Sequence, residues 1–134
     1  MLLDTGVVFA AVFQAHVHHG DVNRWLAATR HYATCGLTQI GAFRLLLTDA
    51  AMHGAALDPV RAHDVLEDLT DSARHAFLPC PTPSREFVGR TAGHKAAFDD
   101  YLVQIAHSAG CKLATLDRSL TLRWPTRTLL IQQG

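Results

Sequence analysis

The chain has 134 residues, 49% of them hydrophobic and 18% charged, the size and composition of one domain with its own hydrophobic core. Disordered chains, collagen-like repeats and disulfide-stapled scaffolds are excluded on that arithmetic. Twelve basic and twelve acidic side chains cancel to a formal net charge of zero, so attraction to nucleic acid would rest on a local basic patch or a bound cation.

Leu2-Leu3 is a short apolar run stopped by Asp4-Thr5-Gly6, which predicts a buried strand feeding a loop and then an apolar helix over 7–12. His16 to Gly20 reads as a polar break. Asp21 is then the expected N-cap of an amphipathic helix that turns Val22, Trp25 and Leu26 toward the core or a dimer interface. A second strand is predicted over 31–35, closed by Gly36. Thr38 is the expected cap of a helix whose Ile40, Phe43, Leu46 and Leu47 form the buried stripe. Asp58 and Pro59 open a helix running to about Leu69. A strand at Phe77-Leu78 precedes Pro79, Pro81 and Pro83, which forbid regular structure, and a short helix follows over 84–90. The helix over 98–109 turns Leu102, Ile105, Ala106 and Ala109 inward and ends at Gly110. Strands over 112–115 and 127–131 complete the pattern.

Cys35, Cys80 and Cys111 lie far apart with no CxxC among them, so neither a zinc knuckle nor a redox pair is available, and all three are expected as buried free thiols. Met1-Leu2-Leu3-Asp4 puts a carboxylate where a signal peptide needs positive charge. The apolar run from Val7 to Phe13 is far shorter than the ~20 residues of a membrane span. A soluble, cytoplasmic protein is expected. The grouped His16, His18 and His19 have no further histidine or cysteine at zinc spacing and are read as packing or solvated residues.

Short strands alternating with helices predict an α/β fold, a short central parallel sheet flanked by helices. In such sheets ligands gather beyond the carboxyl ends of the strands, where strand order switches. Asp4 follows the first strand directly, Asp117 follows the strand over 112–115, and Asp99 and Asp100 open a helix whose dipole favours carboxylates there. These acids are therefore expected on one edge of the sheet. Carboxylates crowded together need a positive partner, and an all-oxygen set suits Mg²⁺ or Mn²⁺. Metal-assisted hydrolysis of a phosphodiester is the natural chemistry of such an edge.

Three segments, Leu2-Leu3-Asp4-Thr5, Phe98-Asp99-Asp100-Tyr101-Leu102 and Leu113-Ala114-Thr115-Leu116-Asp117-Arg118, resemble the PIN-domain ribonucleases, in particular the VapC-type toxins of prokaryotic toxin–antitoxin pairs. The resemblance covers nearly the whole chain and implies one PIN domain over 1–134. It implies Asp4 and Asp99 as principal metal ligands, Asp117 as the third acid, and Thr115 as a hydroxyl that orients the site. The register of Tyr101-Leu102 selects Asp99 over its alternative, Asp100. The implied protein is a Mg²⁺- or Mn²⁺-dependent endoribonuclease with an RNA substrate, a cognate protein antitoxin and a homodimeric state.

One position departs from the pattern. In Leu37-Thr38-Gln39-Ile40-Gly41-Ala42-Phe43-Arg44 the family usually has a glutamate where this chain has Gly41. That opens the alternative of a catalytically weak PIN domain that binds RNA or a protein. Thr5, Thr38, Arg44 and Arg118, together with Gln39, Lys95, Arg123 and Arg127, are candidate contacts to RNA. Two rival readings fail on particular residues. Asp4-Thr5-Gly6 also spells the triplet of retroviral-type aspartic proteases, but those are all-β dimers. Haloacid-dehalogenase-type phosphatases need an aspartate where Gly6 stands.

Overall fold

A computed structural model describes residues 1–134. Five strands, β1 (Leu2–Leu3), β2 (Tyr32–Cys35), β3 (His75–Leu78), β4 (Leu113–Thr115) and β5 (Thr128–Leu130), form one sheet in the order β3-β2-β1-β4-β5. Every pairing is parallel. Seven helices accompany them: α1 (Thr5–Val12), α2 (His19–Ala27), α3 (Gly36–Leu46), α4 (Pro59–Thr70), α5 (Arg85–Val88), α6 (Ala97–Ser108) and α7 (Arg118–Arg123).

The period-2 geometry of a strand sends Leu2 and Leu3 to opposite faces, and each face carries its own core. Leu3 and Ala114 pack with Val7, Val8, Phe9, Leu46 and Leu66 from the helices α1, α3 and α4. Leu2, Ala33, Cys35 and Leu113 pack with Phe87, Leu102, Ile105, Leu120 and Trp124 from α5, α6 and the α7 region. Leu2 and Leu3 are fully buried, so each contributes about 1.5–3 kcal/mol of transfer free energy. The two-residue β1 thus anchors three layers, helices–sheet–helices.

Strand order reverses at β1: β2 and β3 lie to one side, β4 and β5 to the other. The crevice between β1 and β4 is where the rule for open α/β sheets puts a ligand. The Asp4 N–H donates to the Ala114 carbonyl at 2.9 Å, which ties the end of β1 to β4 at that crevice.

Several local expectations are corrected. No loop separates β1 from α1, because Asp4 is itself the N-cap and accepts from the Thr5 N–H. The second helix starts at His19, so Asp21 sits inside its first turn. Cys35 rather than Thr38 caps α3, with the Thr38 hydroxyl returning to the Cys35 N–H at 3.0 Å. The core stripe of α3 is Thr38, Ala42 and Leu46. Ile40 is two residues, or roughly 200°, round the helix from Thr38, and it is 60% exposed. Ala109 is exposed because α6 stops at Ser108, after which Gly110 takes φ +74°. Of the thiols only Cys35 is buried, Cys80 being exposed and Cys111 intermediate. The six-residue helix α7 has too few apolar positions to show a period, and only its cap, Asp117, marks it.

Candidate active site

The crevice collects acids from three elements. Asp4 ends β1, and its two oxygens are engaged separately: Oδ1 accepts from the Thr5 N–H at 2.8 Å, and Oδ2 from the Thr115 hydroxyl at 2.7 Å. Thr115, fully buried at the end of β4, accepts from the Asp117 N–H at 3.0 Å. One hydroxyl therefore links the two strand ends. Asp117 Oδ1 accepts from the Ser119 N–H, the Ser119 hydroxyl and the Leu120 N–H at the start of α7.

The three carboxyls titrate differently. Burial pushes Asp4 above the usual carboxylate range, a shift that its bonds to Thr115 and Thr5 oppose. Asp117 is held low, first by the Ser119 hydroxyl. Asp99, in the first turn of α6, is pushed up to about 6, first by burial and then by the charges of Asp4 and Asp117. The charge of Arg123 opposes this shift. Asp4 and Asp117 are joined through Thr115, and the charges of both act on Asp99.

Asp100 has a different fate. Consecutive helical residues point roughly 100° apart, so only one of Asp99 and Asp100 can face the crevice. Asp100 is completely buried, accepting from the Thr91 hydroxyl at 2.6 Å, Arg123 Nη1 at 2.6 Å and Trp124 Nε1 at 2.8 Å. It is an internal tie between α6 and the end of α7, and it fixes the helix that carries Asp99. Its three donors are scattered in sequence, so only the doubled aspartate at a helix start hinted at this division of labour.

The candidate RNA contacts separate equally clearly. Arg44 and Arg118 are exposed. Thr5 is partly buried beside the crevice. Thr38 is fully buried with its hydroxyl spent on Cys35, which removes it from any RNA surface. Gln39 donates its amide to the buried Thr34 hydroxyl. Arg123 is committed to Asp100, and Arg127 to Glu86 at 2.9 Å while lying over the Phe87 ring. Lys95 is exposed. The histidines pack as expected, His16 edge-on to Phe9 and His19 bonded to the Ala10 carbonyl.

Gly41 is explained by a close approach. A Cβ at this position would lie 2.7 Å from Thr5 Cγ2 and 3.2 Å from Thr5 Oγ1. The Thr5 side chain occupies the space into which a side chain at 41 would project, so α1 and α3 can meet here only because position 41 is bare.

No group of three acidic, histidine or cysteine side chains stands close enough together to hold a metal ion by itself. Asp4, Asp99 and Asp117 offer oxygen donors only, and the charges of Asp4 and Asp117 repel Asp99. Mg²⁺ is held by one or two carboxylates and keeps several waters, so this donor set fits a hydrated hard cation and does not fit zinc.

No family model matches the chain. Among curated proteins it is similar to Ribonuclease VapC29 of Mycobacterium tuberculosis, 36% identical over 125 residues that cover 90% of this chain and 87% of the relative. It is 29% identical to Ribonuclease VapC38 of the same organism, over 87% of this chain and 84% of that one, and 29% identical to its Ribonuclease VapC39, over 89% of each. The three aspartate motifs, the parallel sheet that gathers them and this similarity along almost the full length agree: the chain belongs to the VapC-type PIN-domain ribonucleases.

Proposed function

We propose that residues 1–134 act as one PIN domain, a Mg²⁺- or Mn²⁺-dependent endoribonuclease toxin of a type II toxin–antitoxin pair, cytoplasmic and homodimeric, and restrained by a cognate protein antitoxin. No helix is long and apolar enough to cross a membrane. The observation that carries the reading is the Thr115 hydroxyl joining the ends of β1 and β4: it donates to Asp4 and accepts from the Asp117 N–H. The charges of both aspartates also act on Asp99, while Arg123, the cation that acts on Asp99 and Asp117, is bonded to Asp100.

Asp4, Asp99 and Asp117 would hold the ion. A bound ion of this kind neutralises charge on a phosphodiester and lowers the pKa of an attacking water. The chain's own residues prepare the site. Thr115 is a positioning residue, since its proton goes to Asp4 Oδ2 and its oxygen accepts from the Asp117 N–H. Asp100, through α6, keeps Asp99 turned to the crevice. Exposed Arg44 and Arg118 supply positive charge beside it for the RNA backbone.

The test is purified protein on an RNA panel with Mg²⁺, Mn²⁺ or EDTA, alongside Asp99→Asn. Cleavage that needs the metal and is lost in Asp99→Asn supports the enzyme. Gly41, standing where a further carboxylate would strengthen metal binding, favours a second reading, a catalytically weak module. Binding without cleavage under every metal would establish that second reading and overturn the first.

A further inference from the structure

A cavity of about 310 Å³ has walls that include Thr5, Gly41, Arg44, Ile40, Phe98 and Asp99. Its size is that of a small-ligand site. It shares Asp99 with the acidic crevice.

Two of its walls are unusual for a soluble protein. Phe98 is 68% exposed and Ile40 60% exposed, and neither belongs to or packs against either hydrophobic core. Phe98 directly precedes Asp99 on the first turn of α6. It also lines a second, mostly apolar cavity of about 330 Å³ with Pro83, Val88 and Tyr101, so the ring stands free between two hollows. Across the first cavity is Arg44, exposed and free of any ion pair. An accessible aromatic ring and a free guanidinium are the two side chains on which unstacked bases stack.

We propose that this cavity receives one unstacked nucleobase of the RNA strand, the base neighbouring the phosphate at the aspartates, stacked on Phe98 with Arg44 at its rim. The cavity is thereby a specificity site for the ribonuclease reading above and rests on it. An RNA strand is favoured over a protein segment by the carboxylate and the arginine that flank the ring, which suit a sugar–phosphate chain carrying its own cation. Thr5, packed against Gly41, forms part of the wall the base would meet.

The experiment uses short single-stranded RNAs with 2-aminopurine moved through each position, mixed with the full chain in EDTA so that binding is read without cleavage. Stacking on Phe98 should quench one position about threefold or more. That quench should vanish in Phe98→Ala and persist in Phe98→Trp. With metal added, Phe98→Ala should lower kcat/KM about 10- to 100-fold, mostly through KM. With an abasic nucleotide at the quenched position, wild type and variant should become equal. Phe98 is exposed, so unchanged thermal unfolding of the variant excludes a folding defect.

No quench at any position, or a Phe98→Ala variant with unaltered kcat/KM and base preference, overturns the proposal. If Phe98→Ala instead releases inhibition by the cognate antitoxin while RNA quenching is absent, the cavity takes a protein side chain and the proposal is equally overturned. Quenching in EDTA combined with no cleavage under any metal would keep the base site and remove the ribonuclease reading, so the two fail separately.

Discussion

Replacing Gly41 with alanine tests the packing that sets this chain's crevice apart. Two opposing effects can be weighed. In a helix interior alanine is better than glycine by about 1 kcal/mol. The added Cβ, however, would stand 2.7 Å from Thr5 Cγ2 and 3.2 Å from its Oγ1, and overpacking of this kind costs about 1–3 kcal/mol. Thr5 is β-branched and lies in the first turn of α1, so few alternative rotamers are open to it. The net expectation for Gly41→Ala is a loss of about 1 kcal/mol, or roughly 3–5 °C in Tm for a chain of this size. Thr5→Ala removes both clashing atoms. In that background Gly41→Ala should change sign and stabilise by about 1 kcal/mol, a coupling of about 2 kcal/mol between the two sites. Urea or thermal unfolding of the four proteins in EDTA measures the cycle. If Gly41→Ala shifts stability equally in both backgrounds, within about 0.5 kcal/mol, the close approach does not explain the glycine.

Three further outcomes follow from the site. Asp99 has its folded pKa raised to about 6 from 3.8, so the native state binds more protons, and this stability is present below pH 3.8 and lost as pH rises through 6. Asp99→Asn in EDTA should therefore gain on wild type between pH 4 and 7. The gain is about 1–2 kcal/mol after discounting for the half-exposed carboxyl. His16 and His75, both held low by burial, shift the two proteins alike, and a gain that does not vary with pH would refute the raised pKa of Asp99. Asp100→Ala leaves Trp124 Nε1 and the Arg123 charge without their acceptor and should cost about 3–5 kcal/mol. Thermal unfolding would show this as a fall of more than about 10 °C, with Asp99→Ala nearly neutral by comparison. Arg44→Ala should leave unfolding unchanged but weaken RNA binding, reducing the slope of log affinity against log salt by about 0.7; an unchanged slope removes Arg44 from the RNA surface.

The sheet was legible because its signals are local. Leu2-Leu3 before Asp4 and Leu113-Ala114 before Thr115 are apolar runs that end in polar residues, and the rule about carboxyl ends then brings their acids together. The register of Tyr101-Leu102 selects Asp99 over Asp100, and Asp100 is buried and bonded to Thr91, Arg123 and Trp124. What the sequence hid depends on contacts between distant segments. Thr91, Arg123 and Trp124 converge on Asp100 from separate segments only once the chain is folded. Thr38 looks like a polar residue free to meet RNA, yet it is the inner member of a capping box. Ile40 and Phe98 look like core residues by composition, and only the orientation of α3 and α6 exposes them at the crevice. Arg123 and Arg127 read as surface cations until Asp100 and Glu86 claim them.

The central claim is that Asp4, Asp99 and Asp117 together hold a hard divalent cation, and Mn²⁺ titration followed by electron paramagnetic resonance tests it without any substrate. Wild-type protein should deplete the signal of free aqueous Mn²⁺ at one class of site, with Mg²⁺ competing and Zn²⁺ not required. Asp4→Asn, Asp99→Asn and Asp117→Asn should each weaken binding about tenfold or more, while Asp49→Asn, remote from the crevice, should not. Manganese affinity that survives all three crevice substitutions would contradict the account.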